Sequence, residues 1–354
     1  MKVFCYFIEP ASYTIDLIRN IHEKLRITFC FIKGKSDVES LDNVSAKILS
    51  ELSLLQKLKI ILKNWRANDL IIINGYINYP FMLTFIFNVF CINKRYIAIE
   101  SDTQLIIPNN YLIRFIKWIY LSIIFRNKYV LGLAGGSYTH KELFRNYGMS
   151  EDRIFLMPMV VDNNKYYCKE EVTKDIFTFL FVGRFIPTKN INILAKIFIE
   201  NFTDKQSKLL IVGDGKLFSK FKDLYQNNKI EFCGNISGND LIKKYHSSSV
   251  FIFPSTVEAW GLVINEAMSA GLPVISRNEV GAVHDLIENQ QTGFVVNNWD
   301  ELKEKMLKIY YDKKLYSQFS KNAVSLMKNK WNYDLYMQCL DNIINRVRQW
   351  KLAR

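Results

Sequence analysis

Two doubly wound α/β domains, each a parallel sheet with helices on both faces, are predicted for this 354-residue chain. Three observations predict them. Short apolar runs of strand length alternate with longer segments of helical period from end to end. The runs are apolar at nearly every position, as in strands buried on both faces of a parallel sheet. The chain is also long for a single core, and its 49% hydrophobic content is ample for two.

The strands of the first half are VFCYFI (3–8), ITFCFI (27–32), LIII (70–73), YIAI (96–99) and VLGLA (130–134). Those of the second half are FTFLFV (177–182), LLIV (209–212), IEF (230–232), VFIF (250–253), PVIS (273–276) and FVV (294–296). Helix signals fall between them. Ser137 is placed to cap a helix that runs to Tyr147 and stops at Gly148. Ser237 and Asp240 form a capping-box pattern ahead of Leu241. Two series of βα units imply two domains. A polar stretch after Pro158, rich in Asn, Lys and Glu, places the boundary within 159–175. The expected division is 1–165, 166–330 and a helical closing segment, 331–354.

A net charge of +13 points to anionic partners. Nucleic acid, an acidic membrane surface and a phosphorylated substrate all qualify. The cations are dispersed and accompany no recognition motif, which argues against nucleic acid. Cys5, Cys30, Cys91, Cys168, Cys233 and Cys339 are scattered without a C-x-x-C pair, and read as buried thiols in a reducing compartment. The N-terminus lacks a signal peptide's basic region, longer apolar stretch and cleavage site. The most apolar segment, 81–92, is well short of the ~20 residues a membrane span needs. A cytoplasmic protein is expected. No Asp-x-Asp triplet occurs, and His22, His140, His246 and His284 show no ligand spacing, so no metal or other cofactor is expected.

The most informative stretch is VEAWGLVINEAMSAGLPVIS, 257–276. Glu258 and Glu266 stand eight positions apart around a segment opened by Gly261. A helix beginning near Trp260 or Gly261 leaves its first backbone N–H groups unpaired, which suits a diphosphate. Carboxylates are good acceptors for sugar hydroxyls. The run therefore reads as amides for a diphosphate flanked by carboxylates for two sugars, the layout of a nucleotide-sugar. An ordinary surface acid and a helix-terminal acid favoured by the macrodipole are the alternative for an isolated pair.

This run resembles the Glu-x7-Glu motif of retaining glycosyltransferases of GT-B architecture, in the family that includes many bacterial polysaccharide and lipopolysaccharide enzymes. FVGRFIPTKNINIL (181–194) is similar to the family's Gly-Arg-x4-Lys segment. KLLIVGDGKL (208–217), IEFCGNIS (230–237), VFIFPS (250–255) and QTGFVV (291–296) follow in the family's order. The resemblance covers 175–296 and is loose in the first half, at RIFLMPMVVD (153–162). It implies two Rossmann-like domains facing across a cleft, the donor on the second and the acceptor on the first. It implies C-terminal helices that pack back on the first domain, metal-independent chemistry and transfer with retention. By resemblance Glu258 meets the transferred sugar, Glu266 meets the ribose, Gly261, Leu262 and Val263 offer amides to the diphosphate, and Ile236 lies near the base.

Arg184 and Lys189 follow the first strand of the second domain, where ligands of open parallel sheets bind. There they can clamp a diphosphate leaving group and stabilise the charge that grows as the glycosidic bond breaks. Solvated loop cations are the alternative. Gly183 lets the backbone turn. Gly213-Asp214-Gly215 lacks the third glycine of a dinucleotide fingerprint and reads as a tight βα turn beside the nucleotide. On the acceptor side, strand ends offer Glu9, Glu100 and Asp102, with His140 after Gly135-Gly136-Ser137. Glu100 or Asp102 is placed to orient or deprotonate an acceptor hydroxyl; each is equally a plain loop acid, and His140 a helix-surface residue. The first domain carries IEPASYT where many members have a glycine-rich loop.

YLIRFIKWIYLSIIFRNK, 111–128, is apolar and aromatic with interspersed cations. It reads as a basic helix lying against an anionic membrane surface, or as a core helix with a wet edge. The expected activity is transfer of a sugar from a nucleoside-diphosphate sugar to a saccharide or lipid-linked acceptor in cell-surface polysaccharide synthesis, on or near the inner face of the cytoplasmic membrane. A non-catalytic sugar-binding relative is the nearest alternative. A nicotinamide-dependent oxidoreductase needs a complete glycine fingerprint, which is missing, and a nucleic-acid-binding protein is the remaining rival.

Overall fold

The computed structural model describes residues 1–25, 27–34, 47–168, 175–288 and 290–353. The chain forms two compact units, Met1–Val160 with Tyr333–Arg354, and Val161–Asn332. The division lies between Val160 and Val161; of the stretch 159–175, residues 169–174 lie outside the described residues.

Among the described residues the first unit holds seven strands: β1 (Val3–Phe7), β2 (Thr28–Phe31), β3 (Lys47–Ile48), β4 (Leu70–Asn74), β5 (Tyr96–Ser101), β6 (Val130–Ala134) and β7 (Ile154–Leu156). They form one sheet in the order β3-β2-β1-β4-β5-β6-β7, parallel throughout. Every residue of β1, β5 and β6 is buried, as the unbroken apolar runs require. Helices α1 (Ser12–Leu25), α2 (Leu54–Ala67), α3 (Tyr79–Phe90), α4 (Tyr111–Phe125) and α5 (Thr139–Asn146) join the strands. The strand order reverses between β1 and β4, so the loops after those strands open a crevice at the strand C-termini.

The second unit repeats the plan with β8 (Phe177–Val182), β9 (Ser207–Val212), β10 (Ile230–Gly234), β11 (Val250–Phe253), β12 (Val274–Arg277) and β13 (Gly293–Val296), ordered β10-β9-β8-β11-β12-β13. Its helices are α6 (Asn163–Tyr166), α7 (Ile191–Phe202), α8 (Phe218–Tyr225), α9 (Gly238–Ser247), α10 (Leu262–Ser269), α11 (Val283–Leu286), α12 (Trp299–Tyr311) and α13 (Lys313–Asn329). Its reversal lies between β8 and β11. The last helix, α14 (Tyr333–Leu352), belongs to the first unit. It buries Tyr336, Leu340, Ile343 and Val347, one stripe at helical spacing, and Trp350 stacks on Tyr96.

Some sequence expectations need correction. The strands β3 and β7 are short and were not expected. The N-cap of α5 is Tyr138, one residue past Ser137, and no side chain caps the helix. Ser237 holds the N-cap position of α9, but its side chain makes no capping bond. Only Cys5 and Cys30 are buried; the other four cysteines are half-buried because they lie at strand ends, loops or the outer side of a helix.

Candidate active site

The β8 and β9 turns touch through their backbones. Gly213 has φ +129°, and a Cβ there would stand 2.0 Å from the Gly183 carbonyl oxygen. Gly215, at φ +151°, meets the Phe185 backbone in the same way. The two glycines thus set a backbone contact beside the strand ends.

After β8 the chain passes Arg184, which is exposed, and enters a short 3-10 turn, Pro187–Lys189. Asn190 closes the turn in the left-handed region and donates from Nδ2 to the Pro254 carbonyl at 3.0 Å. The Thr256 N–H donates to the Thr188 carbonyl at 2.9 Å. These bonds knit the loop after β8 to the loop after β11, the two that flank the reversal in strand order. The result is that Lys189 and Glu258, 69 positions apart, form an ion pair through Nζ and Oε2. Lys189 is buried and lies 4.5 Å from the Phe253 ring centroid. Burial, and then the positive charge of Arg184, pull its ammonium down to about 8.

Gly261 is the N-cap of α10, at φ +99°. Its missing side chain matters, because a Cβ would come within 3.3 Å of both Glu258 Cγ and Val280 Cγ1. Glu258 is fixed from the other side by a parallel bridge to Val280. The first amides of α10, at Leu262 and Val263, therefore open beside the Lys189–Glu258 pair. Glu266 lies just over one turn into α10. Its Oε1 accepts from the Tyr166 hydroxyl at 3.0 Å and its Oε2 from the Tyr245 hydroxyl at 2.8 Å. Burial pushes its carboxyl above the ordinary range, and the two phenols oppose that. Ile236 follows β10 and is half-buried.

The first unit brings Glu9, Glu100 and Asp102 into one cavity at the C-terminal ends of β1, β4 and β5, with Tyr13, Asn74 and Tyr336 in its lining. Glu100 is buried, and Asn74 Nδ2 donates to its Oε2 at 2.9 Å. Burial raises its carboxyl to about 7; the Asn74 and Tyr336 hydrogen bonds work against that, and the Asp102 charge adds to it. His140 does not join this group. It is fully buried in the first turn of α5, which corrects both the acceptor-side and the helix-surface readings. Its neighbours Leu143 and Phe144 are buried too, so the helix packs that side against the sheet.

Residues 163–325, which hold the whole Lys189–Glu258 constellation, match the family described as Glycosyl transferases group 1. The second unit is thus similar to the group 1 glycosyltransferases. Among its relatives, the capsular polysaccharide biosynthesis glycosyltransferase CapM of Staphylococcus aureus is 30% identical over 194 residues, 52% of this chain and 50% of CapM. A UDP-Gal:alpha-D-GlcNAc-diphosphoundecaprenol alpha-1,3-galactosyltransferase of Escherichia coli is 33% identical over 202 residues, 52% of this chain and 51% of that one. The chain thus spans about half the length of the curated relatives it matches. The crystal structure of Anabaena Alr3699/HepE in complex with UDP superposes with a TM-score of 0.77 at 17% identity, covering 98% of this chain and 100% of that one. The same protein has also been crystallised with UDP-glucose. The shared fold is the two-domain α/β GT-B architecture.

Sequence reasoning missed four parts of the candidate site. Tyr245 and Tyr166 reach Glu266 from α9 and α6, and no local pattern marks a tyrosine as a carboxylate's partner. Asn190 carries a signal that was open to reading, an Asn in a turn directly before a helix. Tyr336 comes to the first unit's cavity from the far end of the chain.

Proposed function

We propose that this chain is a retaining glycosyltransferase that moves a sugar from a nucleoside-diphosphate sugar to a saccharide or lipid-linked acceptor in cell-surface polysaccharide synthesis. The observation that carries the reading is the Lys189–Glu258 pair set beside the first amides of α10 and the exposed Arg184, inside the segment that matches the group 1 glycosyltransferases. Arg184, Lys189 and the amides of Leu262 and Val263 then hold the diphosphate and stabilise its growing charge as the bond to the sugar breaks. Glu258 accepts from hydroxyls of the transferred sugar, and its pairing with Lys189 ties sugar placement to phosphate binding. Glu266 accepts from the ribose. The cavity of Glu9, Glu100 and Asp102 takes the acceptor. On the same-face route the leaving phosphate oxygen receives the acceptor proton, so no protein nucleophile is required. The diphosphate charge is met by protein cations and amides, and the reaction proceeds without added metal.

The test is a thermal-shift panel of nucleoside diphosphates and their sugars, beginning with UDP and UDP-glucose, followed by a transfer assay. A selective shift with one nucleotide, together with loss of most transfer in Glu258→Ala, is expected. Near-normal turnover in that variant would overturn the reading.

A further inference from the structure

The first half of α4 is exposed on all sides. Residues 111–116 are exposed at every position, and six consecutive residues cover the full circumference of a helix. Five of them are large and apolar: Tyr111 (78% exposed), Leu112 (65%), Ile113 (56%), Phe115 (51%) and Ile116 (58%). Trp118 and Ile119 continue the exposed surface, and Ile106 and Ile107 add to it from the preceding loop. Only the second half of α4 is anchored, through Leu121, Ile124 and Phe125. The apolar end therefore projects from the unit. The reading as a core helix with a wet edge does not fit this half.

The charge along this part of the chain has one sign. Residues 103–141 contain five cations, Arg114, Lys117, Arg126, Lys128 and Lys141, and no Asp or Glu. Two of the cations fold back from the projecting turn. Arg114 Nε donates to the Pro108 carbonyl at 3.1 Å, and Lys117 Nζ donates to the Ile106 carbonyl at 2.7 Å. Their heads are held against loop carbonyls, so the charges are hydrogen-bonded beside the apolar tips. Arg126 lies 5.8 Å from the Trp118 ring centroid, an aromatic and a cation paired at the level where a bilayer's interface wants both.

We propose that α4 docks the first unit on a bilayer containing anionic lipid, with residues 111–119 entering one leaflet. The all-round exposure selects a bilayer over a folded partner. A protein groove covers one face of a helix and would leave the other apolar side chains wet, whereas lipid surrounds an inserted end. The length fits a single leaflet. Nine helical residues extend ~13 Å, and half of a hydrocarbon core is ~15 Å. Among the described residues no helix is long and apolar enough to cross a membrane. The inference rests on the first unit alone and stands apart from the donor chemistry of the second.

The test is co-sedimentation of the full chain with vesicles of phosphatidylcholine, alone or mixed with phosphatidylglycerol, for wild type, Leu112→Glu/Ile116→Glu and a control, Leu224→Glu, whose leucine is exposed on α8. Wild type and control bind the mixed vesicles well and the neutral ones weakly, and salt reduces the difference. The double variant loses about tenfold or more in partitioning, since two large apolar groups no longer enter lipid. Its melting temperature stays that of wild type, because both positions are exposed. Equal binding of variant and wild type overturns the proposal, as does wild-type binding that ignores lipid charge. A wild type that ignores vesicles but self-associates, with the double variant monomeric, overturns it in favour of a second copy of the chain.

Discussion

The Tyr245 hydroxyl donates to Glu266 Oε2 at 2.8 Å, and Tyr245 is fully buried. The opposite oxygen, Oε1, accepts from Tyr166, whose short helix lies nearer the surface. The two phenols therefore do different work. Tyr245 is a fixed post that orients the carboxylate, and on the proposed reading Tyr166 occupies the oxygen that a ribose hydroxyl takes. Tyr245→Phe removes a hydrogen bond to a half-buried acid, at about 1–3 kcal/mol. It should lower both the melting temperature and the affinity for UDP. Tyr166→Phe should leave UDP affinity equal or higher, at a smaller loss of stability. Calorimetric titration of both variants with the best nucleotide of the panel checks this. Equal losses of affinity would mean that Glu266 is held for structure alone.

Lys189 carries a second prediction. Its ammonium sits at about 8 because burial disfavours the charge and Arg184 repels it. The protonated form is the one that pairs with Glu258 and meets a phosphate. Transfer should therefore fall as pH rises through about 8. Arg184→Gln removes the repulsion, so the alkaline limb should move to higher pH even as diphosphate affinity drops. A pH–rate profile of the two proteins reads the shift. An alkaline limb that stays in place would show that another group sets it.

The Gly183–Gly213 contact gives a prediction on stability. Gly213→Ala places a methyl 2.0 Å from a backbone oxygen at φ +129°. The neighbour is main chain and cannot rotate away, so the cost should reach about 3 kcal/mol or more from strain and overpacking together. Gly234 supplies the control. Its φ is +72°, and nothing lies within 4 Å of the place a Cβ would take. Gly234→Ala should lose only ~1–2 kcal/mol, the left-handed penalty alone. Urea unfolding of both variants separates crowding from conformation.

The fold was legible because its strands are buried on both faces. An apolar run bounded by turns has few other readings, and 130–134, 177–182 and 250–253 match strands β6, β8 and β11 to the residue. The edge strand β3 has two residues and no such run. The Glu258 segment was legible because one stretch of chain holds the helix start, the glycine and both acids. Tyr245, Tyr166 and Tyr336 were not, since each meets its carboxylate through tertiary packing across many residues. His140 was misread for the same reason. Position after a strand is visible in sequence, but the side of the helix that turns inward is set by what packs there.

Glu100 gives the last prediction. Its carboxyl is raised to about 7 in the folded chain, chiefly by burial, against an ordinary value near 4.5. The native state therefore holds a proton that the unfolded state has already lost between those two values. Stability must then fall as pH rises from about 4.5 to about 7, and the burden is fully present above that. The shift corresponds to at most ~3 kcal/mol. Glu100→Gln keeps the shape and the amide can still meet Asn74, but it carries no titrating proton. The variant should match or fall slightly below wild type near pH 5 and exceed it above pH 7. Urea unfolding across that range, followed by a signal from the first unit, tests the sign. If the difference between the two proteins does not change with pH, Glu100 is not the buried acid described here. The same comparison bears on the acceptor cavity. A neutral Glu100 donates a hydrogen bond and an ionised one only accepts, so acceptor binding should vary over the same pH range in wild type and not in the variant.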